Sequence, residues 1–236
     1  MLDRFSSLQT IRNKSRTKAE RGNALIYVLI AIALFAALSF TVGRQTGNNQ
    51  EAGTLRPEEI ELAASRVLSY AAQAEASVDQ MMYTNTTIDE LDFVLPDEAD
   101  FDTEPVVDKV YHPGGGGLVP GSLDPKVIAQ VSLTPPAGWY LGRFNSMEWT
   151  ESTATDVILT AHQIHQDICA DINLKLTGNA AIPAINGGSL PEFLIDARFH
   201  SGSNSDFEIS DCASCEDFNA LCVSDTAAGT TIVFTM

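Results

Sequence analysis

Three groups of residues in this 236-residue chain have the types and spacing for chemistry. His162 and His165 lie three apart, with Cys169 four further on. On a helix, these positions share one face and could present imidazole and thiolate ligands to a zinc ion. Two polar-side histidines beside a buried or disulfide-bonded cysteine is the simpler reading. Cys212-Ala-Ser-Cys215 has both ligand-like and redox-like spacing. No second pair of matching type follows it, and no βαβ pattern surrounds it, which argues against a zinc site and a thioredoxin-like site alike. The third group is Asp89 to Asp108, with nine acids in twenty residues. Within it, Asp100, Asp102 and Glu104 alternate as carboxylates do in a calcium loop. The glycine and the distal glutamate of an EF-hand are missing, so a solvated acidic loop is the competing reading.

Motifs with more specific chemistry are missing. Tyr111-His112-Pro113 followed by Gly114 to Gly117 lacks the Lys and Ser/Thr of a phosphate loop and reads as a flexible surface turn. The chain has no G-x-S-x-G, no H-E-x-x-H and no dinucleotide fingerprint. The four histidines, His112, His162, His165 and His200, are scattered through the chain. We therefore expect a protein that is not an enzyme and has no cofactor, with calcium as the one candidate ion.

These groups must be held by a small set of elements. Leu55 to Met82 reads as a helix, with Thr54 as N-cap, Pro57 in the first turn and Glu58, Glu59 and Glu61 near its positive end. Ile60, Ala64, Val67, Ala71, Ala74, Val78 and Met81 recur at steps of three and four, giving one apolar face of mostly small residues suited to close packing on a sheet. Trp139 to Thr150 is aromatic and partly alternating, as strands are. Asp156 to Leu176 reads as a second helix, capped by Asp156, lined by Val157, Ala161, Ile164, Ile168 and Ile172, and stopped by Gly178. Phe193 to Phe199 and Phe207 to Ile209 suggest short strands, and Ala220 to Thr235 reads as a terminal hairpin.

Four cysteines, Cys169, Cys212, Cys215 and Cys222, suit two disulfides outside the cytosol. Three pairings are possible. Cys169 is a natural partner for one of the later three, and the remaining two would close a second loop.

The strongest single signal lies at the other end. Ala24 to Val42 contains nineteen residues without a charge, enough for a helix of roughly 28 Å, close to the hydrocarbon thickness of a bilayer. Residues 1–22 carry six Lys/Arg against two acids, net +4, and the remainder carries eight against 29, net −21. The positive-inside rule places the N-terminus in the cytoplasm and the acidic body across the membrane. Such a body has no electrostatic attraction for nucleic acid or anionic lipid. Gly43 to Gly53 reads as a linker.

Glu20-Arg21-Gly22-Asn23-Ala24, running directly into the apolar stretch, resembles the N-terminus of type IV pilin-like proteins and pseudopilins. Further stretches resemble a group of bacterial prepilin-like proteins, among them EEIELAASRVLSYAAQAEASV, YHPGGGGL, GWYLGRF and HQIHQDICADINLKLTG. The resemblance implies a basic leader at 1–22 cut between Gly22 and Asn23 by a prepilin peptidase, a membrane and filament-core helix at 23–43, a linker at 44–53 and an extracytoplasmic pilin-like domain at 54–236. It implies an α+β fold, in which a hydrophobic helix precedes an amphipathic helix packed on an antiparallel sheet, with a disulfide-stapled C-terminal part. Ala24, Leu25, Tyr27, Leu29, Ile32, Phe35 and Leu38 would then form the assembly helix, sharing the membrane and later a filament with other pilin-like subunits. Tyr27 and Asn23 depart from the Glu and the Phe or Met usual at those positions, which points to a minor or divergent subunit. The expected setting is the inner membrane, with the acidic domain periplasmic or on a filament of type IV or type II secretion-like kind. The alternative is an uncleaved signal anchor displaying a periplasmic, calcium-dependent binding domain.

Overall fold

The computed structural model describes residues 55–129, 134–150, 153–225 and 229–235. The leader, the apolar stretch, the linker and Thr54 lie outside the described residues, so the N-terminal hydrophobic helix is not among the elements below. Among the described residues, no helix is long and apolar enough to cross a membrane.

The first element is helix α1, Pro57–Tyr83. Arg56 is its N-cap, and Pro57 starts the helix where a missing N–H costs nothing. Glu59 reaches back to accept from the Arg56 backbone at 3.3 Å and from its guanidinium at 3.2 Å. The buried stripe is Ala64, Val67, Ala71, Ala74, Ser77, Val78 and Met81, the expected face with Ser77 added and Ile60 only half-buried. Thr84 ends the helix by returning its hydroxyl to the Met81 carbonyl at 2.9 Å.

Four strands follow: β1 (Gly138–Arg143), β2 (Val157–His162), β3 (Ala220–Asp225) and β4 (Gly229–Thr235). They form one antiparallel sheet in the order β1-β2-β4-β3. Helix α2, Gln166–Thr177, follows β2, and the short helix α3, Leu190–Leu194, precedes β3.

The expected helix from Asp156 to Leu176 is corrected. Its first half is β2, and only its second half is helical. The reason is burial on both faces. Every residue of β2 is buried, so the strand lacks the apolar–polar alternation that marks a half-exposed one. Val157, Ala161 and Ile164 fall in helical phase with Ile168 and Ile172 by coincidence of spacing. Asp156 caps nothing helical; its carboxylate accepts from the Met147 N–H at 2.8 Å. Gly178 does end α2, in the left-handed conformation at φ 76°.

Two further expectations change. Strand structure after Trp139 stops at Arg143, and Met147 makes only an isolated bridge to Phe207. Residues 193–199 are the end of α3 and a 3-10 turn, Ala197–Phe199, rather than a strand. Pro191 in the first turn of α3 and Asp196, whose side chain accepts from Arg198 N at 3.0 Å, favour helical turns there.

The sheet separates two cores. On one side, α1 and α2 pack with Leu159, Ala161, Cys222, Ile232 and Phe234. On the other, Ile158, Leu221, Val223 and Val233 meet Met147, Phe193, Leu194 and Phe207. The amphipathic helix on an antiparallel sheet is as expected; the second covered face is an addition. The hairpin of β3 and β4 matches the expected terminal hairpin.

Candidate functional site

A cleft lies beside the N-terminal half of α1. Arg66, Val67 and Tyr70 occupy successive turns of the helix, the segment from Gly121 to Val127 runs past them, and Trp139 closes one end from the start of β1. The cavity measures about 360 Å³ and continues into a second of about 220 Å³ over Leu55, Leu62 and Ala63.

The walls are fixed by local bonding. Tyr70 donates its hydroxyl hydrogen to the Val119 carbonyl at 3.1 Å and accepts from the Gly121 N–H at 2.7 Å. Its ring lies 4.6 Å from that of Trp139. A side chain at 121 would collide with both rings, since a Cβ there would sit 2.6 Å from Tyr70 and 2.7 Å from Trp139. Burial pushes the Tyr70 phenol up, so it stays protonated and keeps its donor role.

The rim is charged. Arg66 Nη1 lies 3.3 Å from Asp124 Oδ2, and Lys126 Nζ lies 2.9 Å from Glu59 Oε1. Hydrogen bonds from Arg56, then from Lys126, hold the Glu59 carboxyl down to about 2. Leu62 is 52% exposed in this setting. The cleft thus presents two aromatic rings and aliphatic side chains inside a zwitterionic rim. In the sequence, Glu59, Val67 and Trp139 stand out only as a helix-start acid, a stripe residue and a strand residue, and the pattern marks none of the lining residues as part of a site. The available hint was that Arg56, Arg66 and Lys126 are three of seven Lys/Arg after residue 54.

The sequence-based candidates are placed as follows. Gly22, Asn23, Ala24, Leu25, Tyr27, Leu29, Ile32, Phe35 and Leu38 lie outside the described residues. Cys169 pairs with Cys222, and Cys212 with Cys215, at Cα separations of 5.6 and 5.3 Å. His162, His165 and Cys169 do not share a face, because the first ends a strand and the others belong to a helix start and its second turn. His165 is the N-cap of α2, accepting from Asp167 N at 3.3 Å. His162 is buried on the α3 side of the sheet, bonded to Thr231 Oγ1 at 2.8 Å. Burial pushes its pKa down to about 4, partly offset by Asp225, so it is neutral near pH 7.

In the acidic segment, Asp100, Asp102 and Glu104 do not converge. Asp102 sits 3.5 Å from His112, and Glu104 accepts from the Val106 N–H at 3.1 Å. Among the described residues, no set of three or more His, Cys, Asp or Glu is arranged to hold a metal ion. A different cation organises this loop. Lys109 is 3% exposed, and its ammonium donates to the backbone carbonyls of Asp100, Phe101 and Thr103. The glycine turn that follows is at the surface, yet it is packed rather than free. Ser77 donates to the Gly116 carbonyl at 2.9 Å, and a Cβ at 116 would lie 2.6 Å from Ser77 Oγ and 2.7 Å from Met81 Sδ.

Comparison of the chain with protein-family models, with curated proteins and with solved structures returns no match.

Proposed function

We propose that this chain is a prepilin-like subunit of a type IV-type filament or a type II secretion-like pseudopilus. It is inserted in the inner membrane with its N-terminus cytoplasmic and assembled through the hydrophobic stretch at 24–42. The observation that carries the proposal is an order of parts. A basic segment, net +4, precedes nineteen uncharged residues, and shortly after these begins the long helix α1 packed on an antiparallel sheet with two disulfides. Charge asymmetry of this kind orients a single span with the acidic domain outside. The disulfides suit that oxidising side.

The function requires no covalent chemistry beyond processing. The apolar helix is stable in lipid and again stable among the helices of neighbouring subunits. Ala31, Ala33, Ala36, Ala37 and Gly43 would let backbones approach closely. The partners are the membrane, a prepilin peptidase acting at Gly22–Asn23, and other pilin-like subunits.

Mass spectrometry of the mature N-terminus, in cells with and without a prepilin peptidase, tests the proposal. A chain beginning at Asn23 only when the peptidase is present is the expected result. Retention of Met1 in the surface-exposed form overturns it.

A further inference from the structure

We infer that Asn186 is a site of spontaneous covalent modification. Its side chain and the Gly187 nitrogen close to a succinimide, which water opens to aspartate or isoaspartate, and the change loosens the loop that covers the outer edge of β3. The inference does not depend on the filament-subunit reading.

Asparagine is among the thermally labile side chains, and Asn186-Gly187 is the one Asn-Gly pair in the chain. Ring closure asks for a next residue small enough to let its nitrogen approach, an N–H not held elsewhere, and a side chain free to turn. Glycine, without a Cβ, meets the first requirement, and Gly187 sits in the left-handed region at φ 81°. Among the described residues, neither the Gly187 N–H nor the Asn186 side chain has a hydrogen-bond partner. Both residues are exposed, so water reaches them.

The other described asparagines lack this combination. Asn145 and Asn173 are buried. Asn204 is held at both ends of its amide, accepting from Ala197 N at 2.6 Å and donating to the Glu192 and Ile195 carbonyls at 3.1 and 2.6 Å. Asn179 accepts from Ala181 N at 3.0 Å and is followed by alanine.

The step balances with water as the only co-reactant. Gly187 N gives its proton to solvent base and bonds to Asn186 Cγ. The Cγ–Nδ2 bond breaks, and the amide nitrogen leaves as ammonia. Water then adds to a ring carbonyl. Opening at Cγ restores the main chain with an aspartate. Opening at the main-chain carbonyl routes the chain through Cβ and Cγ as isoaspartate, one methylene longer. Either product replaces a neutral amide with a carboxylate.

The surroundings turn this into a structural change. Asn186 N donates to Asp211 O at 2.8 Å, and the Asp211 carboxylate is close, since a Cβ on Gly187 would lie 2.9 Å from its Oδ1. The new charge thus lands beside one of the same sign. One residue back, Ile185 N donates to Ser224 O, while Ser224 N donates to Pro183 O, both at 2.9 Å. These bonds fasten the loop to β3. A longer main chain at 186 moves the loop out of register with the strand, and both bonds open more often.

The test ages the full-length protein in detergent micelles at mildly alkaline pH. The tryptic peptide spanning residues 176–198 carries Asn179 as well as Asn186, so Asn179 serves as the internal control. Fragmentation is expected to place amide-to-acid conversion at Asn186, several-fold above Asn179. Methyl transfer from S-adenosylmethionine by isoaspartyl methyltransferase should rise with age. Asn186→Gln, whose longer side chain forms the larger ring reluctantly, is expected to lose most of both signals. An intact Asn186 amide, or methyl acceptance undiminished in Asn186→Gln, overturns the inference. The loosening is read by hydrogen exchange. The Ile185 and Ser224 N–H groups should exchange several-fold faster in aged than in fresh wild type, and equally in aged and fresh Asn186→Gln. Equal rates in aged and fresh wild type overturn the structural half.

Discussion

Asn173 treats Cys222 as a neighbouring strand would. Its side-chain carbonyl accepts from the Cys222 N–H at 2.7 Å, and its amide donates to the Cys222 carbonyl at 2.9 Å. Cys222 lies on β3, an outer strand of the sheet, so the α2 side chain supplies the pairing that a fifth strand would have given. Two residues further along β3, Ser224 bridges Ala184, with Ser224 N donating to Pro183 O and Ile185 N to Ser224 O, both at 2.9 Å. The edge is thus closed by a side chain and a loop rather than left available for another chain.

Replacing Asn173 with Ala would strand a buried N–H and a buried carbonyl. The expected loss is about 2–4 kcal/mol, read as a lower urea midpoint with unchanged m-value. Asn173→Asp keeps the acceptor but sets a buried carboxylate against the Ala181 and Cys222 carbonyls, so above pH 5 it is expected to lose at least as much as Ala.

The buried His162 sets an acid limit. Its folded pKa of about 4 lies below the ordinary 6.5. The unfolded chain therefore takes up the proton first as pH falls. Stability from this residue is complete above about pH 6.5 and declines toward pH 4, at about 1.4 kcal/mol per pH unit and about 3 kcal/mol in all. Comparing wild type with His162→Gln across pH 7 to 4.5 isolates this contribution, and the two curves should converge on acidification. Parallel curves would contradict it.

Lys109 supplies a third test. Lys109→Met removes the donor to three carbonyls and is expected to cost about 2–4 kcal/mol. Limited proteolysis of the variant should then cut first between residues 97 and 105, and wild type should resist cutting there. If cutting is unchanged, the ammonium does not hold the loop.

The two disulfides should differ in worth because the loops they close differ. Cys169–Cys222 spans 53 residues and Cys212–Cys215 spans 3. By loop entropy, removing the first costs roughly 4 kcal/mol and the second roughly 2. Thermal unfolding of Cys169→Ala/Cys222→Ala and Cys212→Ala/Cys215→Ala compares them directly; equal losses would show that chain entropy is not the main term.

What could be read from the sequence followed from periodicity and from chain breakers. The stripe from Ala64 to Met81, the stop at Gly178 and the terminal hairpin each carry a local pattern that survives folding. β2 was illegible because both of its faces are covered, which erases alternation. The Cys169–Cys222 pairing depends on α2 lying against β3, a tertiary fact that no spacing encodes. Asn173 gave no sign beside Ile172. Lys109 does carry a signal: it is the only Lys or Arg between Arg66 and Lys126, set among acids. The cleft joins residues 59–70 to 121–127 and 139, so its aromatic pair becomes visible only once those segments meet.

Both cystines lie between residues 169 and 222, so no covalent cross-link ties α1 to the sheet. Traction applied at the start of α1 would be resisted by non-covalent contacts alone: a stripe in which three of seven residues are alanines, and a few hydrogen bonds such as those of Tyr70 and Ser77. Under tension α1 would shear away first, while the stapled region around α2 and β3 held its shape.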